Sequence, residues 1–500
     1  MSNVIVSTRH GRVRGRLHEG TASFLGIPYA APPFGANRLR PPRAPEPWSG
    51  VRDALVHGPS APQAPGNPAM ADLLTAPGPQ GEDCLNLNVW TPSPHRSGEG
   101  LPVMVWIHGG AFRNGAGSLP TYDGAVLARD GVVCVTLNYR LGAEGFLLLP
   151  DGTANLGLLD QIAALEWVRD NIAAFGGDPG NVTVFGQSAG AISITALMAM
   201  PRAEGLFRRA VTQSGAGHHA HSPETARRVT ERLAALAGVE CTVEALAAVP
   251  PRDLAAANGR LAQEIARSTD PGQWGESAGG GTTALPVAGT ATLPERPVDA
   301  VAAGAGRGID LLTGVTSEEF RLFLVPLGMA DRIDDGFLQG FLASLGLDPA
   351  AARAVYAGAR PGAGAADLFS AAISDHAYRV PALRVAEGRA AHGADTYFYE
   401  FTQPSPARDG ALGACHMAEL GSVFGNPEDP LTDPSTHPEL SDRIRGAWTS
   451  FARHGRPATD RLPHWPAYFP DRSVMVLNAI APAVRQDPGR AERLLWEGLR

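Results

Sequence analysis

The chain has 500 residues, 44% of them hydrophobic, with a mean hydropathy of −0.08, a formal net charge of −8 and a pI near 6.0. That length and balance describe a globular chain with a large core and exclude a disordered one. The acidic surplus leaves no basic stripe of the kind nucleic acid requires, and because all 42 basic residues are arginine amid abundant Ala, Gly and Pro, the arginines read as coding bias.

The N-terminal residues MSNVIVSTRHGRVRGR hold no apolar stretch of signal-peptide length. Nowhere do about 18 apolar residues run uninterrupted, so a cytoplasmic protein without a membrane partner is expected. Cys84, Cys134, Cys241 and Cys415 are scattered without metal-ligand spacing, which predicts reduced thiols and no metal. Residues 57 to 82, rich in Pro, Gly and Ala, read as a loop that could rim a pocket. LPVMVWIHGG and VVCVTLNYR then read as strands. They are followed by a helical pattern with Leu158, Ile162, Leu165 and Val168 at helical spacing, closed by Gly176-Gly177.

The next strand, NVTVFGQS, runs into AGAISITALMAM, which is rich in helix formers, so Ser188 of the GxSxG pentapeptide sits on a strand-to-helix turn. Such a turn exposes a hydroxyl in strained backbone geometry, and Gly186 and Gly190 suit the tight crossing. FRRAVTQSG, IDLLTGVTS, DTYFYEFT and SVMVLN read as later strands of the same sheet. The Gly/Ser/Thr-rich residues 268–285 and the Pro/Gly/Asp-containing 402–414 read as excursions. The alternation predicts an α/β fold with a large, mostly parallel sheet flanked by helices. Residues 320–394 are a helical insertion over the sheet within a single domain spanning 1–500.

A serine nucleophile needs a base, a carboxylate and oxyanion donors. WIHGGAFRNG offers Gly109 and Gly110 after a strand, with the N–H of Ala189 as a further donor. His416, in GACHMAELGSVFG after the DTYFYEFT strand, is the best placed of 14 histidines; His376, His392, His437, His454 and His464 lie in helix-like or Pro-rich contexts. In SEEF, Glu318 and Glu319 are both candidate acids. No cofactor is required.

These blocks together resemble the type B carboxylesterases, the family of the cholinesterases and para-nitrobenzyl esterases. FLGIPYAAPPFGANRLRPP, EDCLNLNVWTP, HGGAF, LNYRLGAEGF, the GQSAG segment, TQSG, SEEF, HMAEL and WTSFARHGRPA stand in family order over nearly the whole length. The resemblance implies an α/β-hydrolase fold and a catalytic set of Ser188, Glu319 and His416, with Gly109, Gly110 and Ala189 as the oxyanion hole. Phe320 stands where the family's DEG tripeptide has glycine, which keeps Glu318 in play. Ser214 would hydrogen-bond the acid, and Arg38–Glu82 and Arg140–Asp160 would be bracing ion pairs.

Gln187 replaces the glutamate of many relatives, no cysteine precedes Cys84, and Trp48 is the only tryptophan between Pro47 and Cys84. Choline esters are therefore not expected. The expected partner is an uncharged small-molecule ester, bound by a monomer or small homo-oligomer, with Phe112, Gln187, Phe320 and Met417 lining the pocket and Phe424 either lining it or packing in the core. Carbamate or aryl-amide hydrolysis by the same residues is the alternative reading, and a non-catalytic adhesion-like role the remote one.

Overall fold

In the computed structural model, which describes residues 2–499 apart from 93, 95–99, 269, 279–281 and 433–434, thirteen strands form one sheet. They are β1 (Ser2–Ser7), β2 (Arg12–His18), β3 (Thr21–Pro28), β4 (Val51–Asp53), β5 (Asn86–Thr91), β6 (Leu101–Ile107), β7 (Val133–Leu137), β8 (Gly177–Gln187), β9 (Arg209–Gln213), β10 (Asp310–Thr316), β11 (Thr396–Phe401), β12 (Ser473–Leu477) and β13 (Ala483–Gln486). The order is β1-β2-β3-β5-β7-β6-β8-β9-β10-β11-β12-β13, with β4 beside β2. From β7 to β12 every pairing is parallel; the outer strands pair antiparallel except β4, which runs parallel to β2.

Parallel strands joined by helical crossovers are covered on both faces and therefore read as continuous apolar runs rather than alternating ones. Val103, Val105, Val184, Ala210 and Leu311 enter one core layer, while Met104, Trp106, Phe185, Val211 and Leu312 enter the other. The period of two assigns each residue its layer. The helix Leu156–Asn171 is buried nearly all round, with Leu158, Ile162, Leu165 and Val168 fully enclosed. Gly176 closes the following turn at φ 85°, but Gly177 is already the first residue of β8, paired with Leu101, so the strand begins four residues before Asn181.

Chain order places β7 on one side of β6 and β8 on the other, so the sheet winds outward in opposite directions from this point. In open α/β sheets a crevice forms there, beyond the carboxyl ends of the strands. The excursions gather at the same edge. Gln63 exchanges two hydrogen bonds with the backbone of Gly115, and Arg408 pairs with Asp72 at 2.7 Å, joining the 57–82 and 402–414 segments. Positions 269 and 279–281 of the 268–285 stretch lie outside the described residues.

Between β10 and β11 the chain forms helices Asp335–Ser344, Pro349–Ala359, Ala365–Ser374 and Val380–Ala390, two of them started by Asp334 and Asp348 capping backbone N–H groups. Asp375–Arg379 is a π-turn between the last two, a distortion frequent at functional sites. Among the described residues no helix is long and apolar enough to cross a membrane.

Candidate active site

β8 ends at Gln187, and Ser188 turns the chain into the helix Ala189–Ala199 with φ 55° and ψ −121°, a conformation non-glycine residues rarely adopt. It is held there by its N–H to the Gln213 carbonyl (2.8 Å) and by its carbonyl to the Ile192 N–H (2.9 Å). The flanking glycines are steric necessities. A Cβ on Gly190 would lie 1.9 Å from the Ile107 carbonyl oxygen, and one on Gly186 would lie 2.7 Å from the same atom. β6, β8 and the helix can approach this closely only without those side chains.

β6 continues into His108-Gly109-Gly110-Ala111-Phe112, where Gly110, Ala111 and Phe112 all have positive φ. Among the described residues, the N–H groups of Gly109, Gly110 and Ala189 are committed to no internal acceptor. The loop is braced by His108, whose ring stacks on Tyr139 at 4.5 Å and whose Nδ1 lies 2.7 Å from the Gly109 carbonyl oxygen. Burial pushes the His108 imidazole down to about 4, so it is neutral at working pH.

After β10, Glu319 turns inward and Glu318 turns outward. Glu319 is 1% exposed; its Oε2 lies 2.6 Å from His416 Nδ1 and its Oε1 accepts the Thr316 N–H at 2.9 Å. Glu318 accepts the Ala414 N–H and pairs with Arg321. His416 is 2% exposed, its backbone N–H bound to the Glu319 carbonyl, so the two loops are also tied by main chain. Of the two glutamates open from sequence, Glu319 is the one at the histidine.

Other expected residues fall elsewhere. Phe112 does not line a pocket: it is fully buried, its ring 4.5 Å from Phe146, and its carbonyl accepts the Gly142 N–H. Gln187 is not a wall either; it is 1% exposed and its carboxamide nitrogen sits 2.9 Å from His416 Nε2. Its side chain shares the sheet face of Phe185, the face on which the 414–424 segment packs. Phe424 is core, against Trp106 and Phe185. Phe320 and Met417 are half-buried, the first touching Phe323 and Phe369.

Ser214 is buried with φ 52°, but among the described residues its hydroxyl has no partner; the Thr316 N–H takes the place expected for it. Arg38 pairs with Glu144 at 2.6 Å and with the carbonyls of Ala247 and Val249, because Glu82 lies exposed away from that buried site. Arg140 and Asp160 do pair, bidentately at 2.7 and 2.8 Å, both side chains fully buried. All four cysteines are free, and burial raises the Cys84 thiol far above its ordinary range.

Three neighbours of the histidine were not singled out from sequence. The Tyr378 ring, on the π-turn, is 4.7 Å from His416, and the Phe323 ring is 5.3 Å from it. Both come from the helical region, and neither carries a local motif. Glu419 does have a signal, a carboxylate three residues past His416 in an otherwise apolar run. It is 1% exposed, accepts from Gln213 Nε2 at 2.9 Å, and is pushed up to about 7, chiefly by burial. Among the described residues no cluster of His, Cys, Asp and Glu could hold a metal ion.

A strained serine at a strand-to-helix crossing, a buried histidine–carboxylate pair and free N–H groups at the sheet's switch point define an α/β-hydrolase. The chain belongs to the carboxylesterase family, whose model matches residues 2–493, and it is a carboxylic-ester hydrolase. It is 38% identical to the para-nitrobenzyl esterase of Bacillus subtilis (strain 168), over 99% of this chain and 98% of that one. It is 36% identical to the phenmedipham hydrolase of Pseudarthrobacter oxydans, over 98% of each. A crystal structure of a carboxylesterase from Geobacillus stearothermophilus superposes with a TM-score of 0.86 at 38% identity, covering 98% of this chain and 99% of that one.

Proposed function

We propose that the chain hydrolyses uncharged carboxylic esters through an acyl-enzyme on Ser188, with His416 as base and Glu319 as its carboxylate. The observation that carries this is the 2.6 Å contact between Glu319 and His416 Nδ1, both buried, on a ring whose Nε2 meets Gln187, the residue before the strained serine. With Nδ1–H donating to the carboxylate, Nε2 carries the lone pair that a base needs. Ser188 Oγ attacks the carbonyl carbon as His416 takes its proton; the histidine then protonates the leaving alcohol. Water, deprotonated by the same nitrogen, releases the acid and restores the serine.

The developing oxyanion is met by the N–H groups of Gly109, Gly110 and Ala189, each worth on the order of 3 kcal/mol. Gln187 puts a neutral amide where a carboxylate would attract cations, and Phe320, Phe323, Met417 and Tyr378 surround the site with apolar surface, which suits uncharged acyl and aryl groups. Carbamate or aryl-amide hydrolysis by the same residues is the second reading, kept beside the first by the 36% identity to a relative named phenmedipham hydrolase rather than esterase.

The test is a panel of p-nitrophenyl esters of increasing acyl length beside aryl carbamates and anilides, on wild type and Ser188→Ala. Wild type should exceed the variant on esters by several orders of magnitude. Equal rates on every substrate would sink the reading, and faster carbamate than ester turnover would favour the second.

A further inference from the structure

The nitrogen that must take the serine proton already has a partner. Gln187 Nε2 lies 2.9 Å from His416 Nε2, while among the described residues Ser188 Oγ makes no hydrogen bond to the ring. The orientation of the carboxamide follows from chemistry. In the neutral ring with Nδ1–H on Glu319, Nε2 presents a lone pair, and only the NH₂ end of Gln187 can bond to it; the oxygen would set two lone pairs face to face. Gln187 Oε1 is buried and unpartnered among the described residues, beside the backbone of Gly109. The side chain is 1% exposed, and its backbone is fixed at the end of β8, paired in register with Gln213.

We propose that Gln187 is a positioning residue for the base: its carboxamide holds His416 as the neutral, Nδ1-protonated tautomer and yields Nε2 to Ser188 Oγ–H as attack begins. The proposal rests on the triad reading above. An N–H donor on Nε2 stabilises the neutral ring, and a proton there would clash with it. The remaining groups facing the imidazole are Glu319 on Nδ1, Glu419 on its own turn, the Cys415 thiol next to it in the chain, the Tyr378 phenol from the π-turn and the Phe323 ring. Of these the two glutamates favour imidazolium when ionised, and Glu419, raised to about 7, is ionised only in part near neutral pH. Gln187 opposes them.

The experiment compares the pH dependence of kcat/KM for a short p-nitrophenyl ester in wild type, Gln187→Glu and Gln187→Met, each repeated with Glu419→Gln so that Glu419 does not titrate within the window. A carboxylate at 187 would favour imidazolium, so the acid limb of Q187E should move up by about one pH unit or more, and that of Q187M by less in the same direction. A substrate-free measurement follows the low-field Nδ1–H proton resonance of His416, identified by its loss in Glu319→Gln, and should titrate with the same displacements. Acid limbs and resonance titrations that coincide in all three proteins overturn the proposal, as does a loss of rate equal at every pH. If wild type is no more active than Ser188→Ala, the triad reading fails, and the proton resonance still decides whether Gln187 sets the protonation of the histidine.

Discussion

Glu318 and Glu319 are adjacent in the chain yet face opposite ways: Glu319 Oε2 meets His416 Nδ1 at 2.6 Å, while Glu318 takes the Ala414 N–H at 2.9 Å and the Arg321 guanidinium at 3.0 Å. Removing the charge of Glu319 while keeping its shape should lower kcat by roughly 10³- to 10⁴-fold, the scale seen when a triad histidine loses its orienting carboxylate. Glu318→Gln breaks only a part-exposed pair and should change kcat by about fivefold or less. Steady-state kinetics of the two variants decide it, and a larger loss in Glu318→Gln would reassign the acid.

Glu419 carries a cost that depends on pH. Burial raises its carboxyl to about 7 from an ordinary value of 4.5, so the folded protein holds this proton more tightly than the unfolded chain does. Its contribution to stability is fully present below about 4.5, is lost as pH rises through about 7, and amounts above that to a penalty on the order of 3 kcal/mol. Glu419→Gln keeps the oxygen that accepts from Gln213 and cannot ionise. Relative to wild type it should gain stability between pH 5 and pH 8, as read from urea unfolding midpoints. A difference that does not change with pH would show that Glu419 does not titrate in this range.

The Arg140–Asp160 pair is wholly buried, and Arg140 also donates to the Arg40 carbonyl. Asp160→Asn leaves a buried guanidinium with its counter-charge gone and should cost about 3–5 kcal/mol. Arg140→Met combined with Asp160→Leu removes both charges and should recover part of that loss. Thermal unfolding of the single and double variants checks the order; a single variant as stable as wild type would mean that the pair is solvated.

What sequence made legible was whatever is local. The strand–turn–helix around Ser188, the glycines that permit it, and the long apolar runs of β6 to β8 all announce themselves within a dozen residues. What it left open depends on distance. Arg38 finds Glu144, not Glu82, because a loop fold brings the helix at 142–146 beneath it. Phe112 lies beside Gly109 and Gly110 in sequence but turns into the core, its ring against Phe146. Tyr378 and Phe323 reach His416 from helices whose packing no short motif encodes. Gln187 was legible as a departure from a family pattern, but its contact with the histidine required the register of β8 against the segment that carries His416.

Gly190 offers the sharpest test of how the site is built. Its Cα faces the Ile107 and His108 carbonyls so closely that an alanine Cβ would stand 1.9 Å from Ile107 O, a backbone atom that cannot rotate away. Gly190→Ala must therefore push the helix Ala189–Ala199 off the end of β6. That displacement moves Ala189 relative to Gly109 and Gly110, which sit on the continuation of the same strand, and separates the three N–H groups. Loss of one oxyanion donor costs about 10²- to 10³-fold in kcat, and misplacing the set should cost at least as much while KM changes less. The variant should remain folded by circular dichroism, with a lowered Tm from the strained crossing. Wild-type kcat in Gly190→Ala would mean that the helix and the Gly109–Gly110 loop move together, and that the glycine serves packing alone.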